Sequence, residues 1–144
     1  MAPLNVEKLS PQCYLCSSKK DIAELVKGAS KLSKSTDFVQ LFDDRAEIVQ
    51  KLLPAYFNSV VRGNEKVMRS NGIAKEMLIF VAGEPNIAKA ISKCGVKSSS
   101  RFVMFATSNK MAGAAKPRLG IWAMKKMALR FDLDVAQGVA SELL

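Results

Sequence analysis

The sequence predicts an α+β fold in a single domain spanning residues 1–144, a small mixed or antiparallel sheet packed with several helices. Strand-like apolar runs and helix-periodic stretches occur in mixed order rather than in strict β-α alternation, which disfavours a parallel, doubly wound sheet. Of the 144 residues 49% are hydrophobic, enough for one real core, while the length is too short for two comfortable domains. No internal repeat or low-complexity tract interrupts the chain.

The elements follow in order. QCYLCS, residues 12–17, is the first expected strand. Asp21 then caps a helix carried by Ile22, Leu25, Val26 and Ala29, which closes in the polar stretch KLSKSTD. FVQLFD, residues 38–43, alternates as a second strand and stops at Asp43 and Asp44. The longest helical pattern begins near Gln50, with Pro54 tolerable in a first turn and Leu53, Phe57 and Val60 on one face, Tyr56 beside them. RGNEKVMRSNG follows as a polar, basic turn. KEMLIFVAG has the composition of a strand, although a helix buried on all sides gives the same apolar run.

GEPNIAKAISKCGV, residues 83–96, reads as a short helix punctuated at both ends. Gly83 and Pro85 break what precedes it, Asn86 caps it and Gly95 ends it, with Ile87, Ala90, Ile91 and Cys94 on one face. RFVMFATS, residues 101–108, is the clearest strand pattern in the chain. NKMAGAAKPRLG reads as a loop from its small residues, its glycines and Pro117. Helices are expected over residues 121–129 and 134–144.

Charge narrows the function. The chain has 22 Lys and Arg against 13 Asp and Glu, a net +9, and no histidine. Residues 62–118 hold 11 of the basic residues and only Glu65, Glu76 and Glu84, so that segment alone is +8. A localised surplus of this kind is the footprint of a surface for nucleic acid, because each neutralised phosphate releases counterions. No apolar run approaches the roughly 20 residues that span a bilayer. MAPLNVEKLS has no apolar signal-peptide core. A soluble, cytoplasmic protein without membrane contact is therefore expected.

The chemistry available is limited. Without histidine there is no Ser-His-Asp, Cys-His or His-metal site, and the glycines form neither G-x-G-x-x-G nor a Walker lysine loop. Cys13 and Cys16 form a lone C-x-x-C inside an apolar-leaning segment, which suits buried packing residues better than zinc or redox chemistry. Glu76 heads an apolar run and is expected to support a helical turn or pair with a nearby arginine. The sequence thus predicts a non-enzyme, with no catalytic residue, no metal and no cofactor.

Over RSNGIAKEMLIFVAGEPNIAKAISKCGVKSSSRFVMF a basic-Ser-Gly turn, Glu, an apolar run, Ala-Gly, Asn-Ile, an Ala-rich helix, Gly-Val and a strand occur in that order. This stretch resembles the TPRKB family, the small regulatory subunit of the KEOPS (EKC) complex, in an archaeal form. That complex helps make threonylcarbamoyladenosine in tRNA. The likeness is best over residues 48–106, includes LLPAYFNSVV, and returns in DVAQGVASELL. Lys51 stands where many archaeal relatives carry a histidine, and residues 110–130 depart from the family.

The resemblance implies that residues 75–82 form a helix, not a strand. It also implies a non-catalytic subunit that binds the small atypical kinase-ATPase of KEOPS (PRPK in animals) and reaches the other subunits through it. In archaeal relatives this subunit holds the single-stranded 3′ CCA end of tRNA. Joined to the charge map, that makes Arg62, Lys66, Arg69, Lys75, Gly83, Glu84, Asn86 and Lys89 the candidate RNA-binding residues. Val135, Val139 and Leu143, at helical spacing near the end of the chain, become the candidate kinase interface. The alternative is a purely protein–protein regulatory adaptor of the kinase, with no direct RNA binding.

Overall fold

The computed structural model describes residues 11–34, 36–65, 72–129 and 131–141. In chain order the elements are β1 (Gln12–Ser18), α1 (Ile22–Leu32), β2 (Val39–Phe42), a short α2 (Ala46–Val49), α3 (Leu52–Glu65), α4 (Ile73–Ala82), α5 (Ile87–Cys94), β3 (Phe102–Ala106), α6 (Asn109–Arg118), β4 (Ile121–Met127) and α7 (Leu133–Ser141). The fold class is α+β, as the sequence predicts, and the sheet is antiparallel throughout, in the order β2-β3-β1-β4. Two compact units divide the chain. A sheet unit takes the residues up to Asp44 and Val96–Ala128; a helical unit takes Arg45–Gly95 and the residues from Leu129 onward.

In the sheet unit, α1 and α6 pack on the sheet and on each other. Their core joins Leu25 and Ala29 of α1 and Met111, Ala112 and Ala115 of α6 to Cys16, Val39, Leu41, Phe102 and Met104 of the strands. The alternate residues of β3, Val103 and Phe105, are equally buried, so this central strand is apolar without a break instead of alternating. Asp21 caps α1 through a reciprocal pair of bonds with Glu24, its Oδ1 accepting from the Glu24 N–H at 2.8 Å. At the start of β2, Asp37 accepts from the hydroxyls of Thr107 and Ser108, and Thr107 Oγ1 accepts from the Phe38 N–H at 2.9 Å. Those bonds satisfy two buried hydroxyls where β3 turns into α6.

Two segments differ from the sequence expectation. Residues 109–118 are helix α6, not a loop. Ser108 caps it by accepting from the Met111 N–H, the small residues Ala112 and Ala115 face the core, and Pro117 falls in the last turn, where it interrupts little. Residues 121–127 are strand β4, not helix. Pairing with β1 decides this, and an irregularity opposite Ser17 and Ser18 spoils the alternation by which the strand would be recognised.

In the helical unit α4 packs against α3, α5 and α7, and α3 packs against α7. α4 is a helix, as the resemblance implies and against strand propensity; Ile73 and every residue from Glu76 to Ala82 are buried. Pro54 occupies the third position of α3, where no helical partner for an N–H is lost. The buried stripe of α3 is Leu52, Ala55, Tyr56 and Ser59; of the expected face Tyr56 is buried, Leu53 and Val60 are half-buried and Phe57 is exposed. Ser59 can be buried because its hydroxyl donates to the Ala55 carbonyl at 2.7 Å. Phe57 stays 46% exposed, and on α5 Ile91 is likewise exposed while Ala90 and Cys94 are buried.

The C-x-x-C lies on β1, as expected, with both thiols free and buried. Residues three apart on a strand face opposite sides, so the two sulfurs do not converge. Burial pushes the Cys13 thiol up to about 11 and the Cys16 thiol up to about 12, from an ordinary 9.0. As pH rises the unfolded chain ionises its thiols first. Stability is therefore fully present below pH ~9 and falls from there toward pH ~12, by at most ~1.4 kcal/mol per pH unit for each thiol. Two measurements check this. A thiol reagent at pH 8 should leave all three cysteines unreacted until denaturant is added, and Cys16→Ser should cost about 1–3 kcal/mol in denaturant unfolding.

Candidate nucleic-acid interface

The described candidate RNA-binding residues all belong to the helical unit, and α4 sets their spacing. Arg62 leaves the last turn of α3 and Lys75 the first turn of α4. Gly83, Glu84, Asn86 and Lys89 lie where α4 gives way to α5. Eight residue steps lead from Lys75 to Gly83, about 12 Å along the axis. The candidates thus form two groups, one at each end of α4. Lys66 and Arg69 lie outside the described residues.

At the first end the sequence expectation of an exposed Arg62 is corrected. Its side chain is only 22% exposed, its Nε lies 4.0 Å from Oε1 of the fully buried Glu76, and its guanidinium sits 5.3 Å over the Phe80 ring. Arg62 is therefore held inside the unit by a carboxylate and an aromatic face. Glu76 meets the arginine expected of it, and its place near the α4 N-terminus adds favourable interaction with the helix dipole. Lys75, beside it in sequence, is exposed.

At the second end Gly83 closes α4 in the left-handed conformation, φ 63°, where a side chain would be strained. Its N–H and that of Glu84 turn back on the Ile79 carbonyl, the latter at 3.2 Å. Asn86 caps α5 by accepting from the Lys89 N–H at 3.1 Å. Lys89 and Lys93 are exposed on α5, and the Arg45 guanidinium donates to the Lys93 carbonyl. This end offers amines beside a capped helix start, an arrangement suited to phosphate.

The candidate partner residues separate as well. Val139 is 1% exposed and belongs to the core of its own unit, Val135 is half-buried, and Leu143 lies outside the described residues. The sequence reading missed an apolar groove between α3 and α7, lined by Pro54, Phe57, Asn58, Val61, Phe131, Ala136 and Gln137. Phe57 and Phe131 meet edge to face at 5.8 Å, yet remain 46% and 53% exposed, and Val61 is 52% exposed. The signal was Phe57 itself, taken for core because it shares an apolar face.

Among the described residues no cluster of three His, Cys, Asp or Glu side chains could hold a metal. No helix among them is long and apolar enough to cross a membrane. No protein-family model matches the chain, and comparison with curated proteins finds no match.

The Arg62–Glu76 pair yields a stability test. Arg62→Ala should destabilise the protein by about 1–3 kcal/mol, because a buried carboxylate loses one of its partners. In a Glu76→Gln background the same change should cost at least ~1 kcal/mol less, a coupling that a double-mutant cycle in urea would measure.

Proposed function

We propose that the chain is a non-catalytic, KEOPS-type subunit that binds the 3′ CCA end of tRNA and a small kinase-ATPase, in support of threonylcarbamoyladenosine formation in an archaeal cytoplasm. The observation that carries the RNA half is the +8 concentrated in residues 62–118, of which residues 62–95 of the helical unit hold six basic and three acidic side chains. Support also comes from the exposed amines of Lys75 and Lys89 and from the capped start of α5. Arg62, 22% exposed and paired with Glu76, is less free for phosphate than those lysines. Unpaired ends are gripped by such basic tracks with a few polar contacts to splayed bases. The TPRKB resemblance supplies the substrate and the complex.

The α3–α7 groove supports the partner half. Exposed aromatic and branched side chains around a shallow concavity are what a protein interface buries at its centre. Taken alone it favours the second reading, an adaptor that regulates the kinase without touching RNA.

Binding separates the two readings. Deacylated tRNA with its CCA end should bind more tightly than the same tRNA trimmed of it. Lys75→Glu with Lys89→Glu should weaken binding and make its salt dependence shallower, by about 0.7 in log–log slope for each lost phosphate contact. Equal binding of the two tRNAs, or an unchanged slope in the folded double variant, would leave only the adaptor reading. Val61→Asp, at an exposed position, should abolish co-purification with the kinase while tRNA binding persists; retained kinase would remove the groove from the interface.

A further inference from the structure

Strand β4 is an edge of the sheet, and its pairing with β1 contains an irregularity with a chemical consequence. From Cys13↔Met127 to Ser17↔Ala123 the register is regular, but Ser18 pairs with Ile121 instead of Trp122. Trp122 is the extra, unpaired residue of a bulge. In an unbroken register it would stand opposite Ser18, on the side of the sheet where Cys16 and Met124 contribute to the core beneath α1 and α6. The bulge puts Ile121 there, 6% exposed, and leaves Trp122 63% exposed. Gly120 makes the displacement possible: at φ 61° it turns the chain from the buried Leu119 into β4, while the Ser18 hydroxyl donates to the Leu119 carbonyl at 2.6 Å.

The charges around this indole are of one sign along the strand. Lys125 and Lys126 follow on β4, reaching its edge from opposite faces of the sheet, and Lys116 and Arg118 lie on the last turn of α6 just before it, all exposed. None of the four forms a salt bridge among the described residues. Lys20 lies across Gly120 and donates its Nζ to the Arg118 carbonyl at 2.8 Å. Asp21, next to Lys20 in sequence, is engaged with Glu24 in the α1 capping box.

Lysines on an edge strand ordinarily discourage another strand from pairing there. An exposed tryptophan beside them works against that purpose. A protein-binding anchor would need apolar surroundings, and lysine is depleted at such interfaces. An aromatic plate among unpaired cations is instead the composition of a single-strand binding surface. We propose that the β4 edge binds single-stranded nucleic acid, a base stacking on Trp122 while Arg118, Lys125 and Lys126 hold the backbone. This surface belongs to the sheet unit and does not rest on the CCA-end reading of the helical unit.

Trp122 is the single tryptophan in the chain, so its emission reports on the proposed contact directly. Titrating the full chain at low salt with 12-mer oligouridylate or oligodeoxythymidylate should quench that emission saturably. Polyphosphate, a polyanion without bases, should not. With labelled oligonucleotide, Trp122→Ala should lose on the order of 10-fold in affinity, as removal of one stacking partner does. Trp122→Phe should recover most of the loss, and Lys125→Glu with Lys126→Glu should make the salt dependence shallower. Three results would each overturn the proposal: emission unchanged by both oligonucleotides, equal quenching by polyphosphate, or wild-type affinity in a folded Trp122→Ala protein. Oligouridylate has no CCA sequence, and the preference of the Trp122→Ala protein for tRNA carrying its CCA end tests the other site separately, so either reading can fail alone.

Discussion

Between Glu76 and Ala82 helix α4 has no solvent-facing side, and the one charge it carries there has to be met inside the protein. Arg62 meets it from the end of α3 and lies over Phe80, one turn further along α4. The pair therefore joins the two helices at the point where the chain leaves one and enters the other. An isolated buried carboxylate is expensive, and the partly covered Arg62 is one of the groups that offset that cost. The functional consequence is a division among the basic residues. A cation drawn toward an interior carboxylate is less free to meet phosphate, so more of the surface charge of this unit rests on side chains such as Lys75, Lys89 and Lys93.

The sheet unit resolves a different conflict. α6 must end with Leu119 buried, and β4 must begin at once with a side chain that fits beneath the helices. Isoleucine fits that place with only 6% of its surface exposed. The left-handed Gly120 and the bulge opposite Ser17 and Ser18 allow Ile121 to take it. Surrendering the burial of a tryptophan forfeits a large apolar area, of order 2–3 kcal/mol if the side chain could have been fully covered. A fold that accepts that loss keeps an aromatic face in solvent, next to cations that are likewise unpaired among the described residues.

Much of this was legible in the sequence where the determinants are local. Asp21 and Glu24 announce α1, Asn86 announces α5, and the unbroken apolar run of β3 follows from burial on both faces. α4 needed more than pattern, since LIFV suits a strand as well as a buried helix, and the family resemblance decided it. The failures have nonlocal causes. β4 is a strand because β1 lies beside it, and its bulge erases the alternation. α6 looked like a loop because the small residues that let it pack closely are also the residues of loops. Arg62 looked exposed because its partner lies on the next helix, and Phe57 looked buried because an apolar stripe does not say how much of it a neighbouring helix covers.

The two surfaces of the helical unit differ in the physics by which they would hold a partner. The lysines act through charge, which salt screens within about 8 Å at physiological ionic strength. The α3–α7 groove acts through apolar burial, which modest salt leaves intact. Raising ionic strength should thus release a polyanion while an apolar partner stays bound, without altering any residue. The separation also bears on assembly. A subunit that grips its partner by burial and its RNA by charge can let RNA exchange rapidly and remain in its complex, since screened contacts between exposed groups form and break without exposing apolar area. The pairing of Arg62 with Glu76 sharpens that division, because it draws toward the carboxylate the cation whose planar fork suits phosphate best.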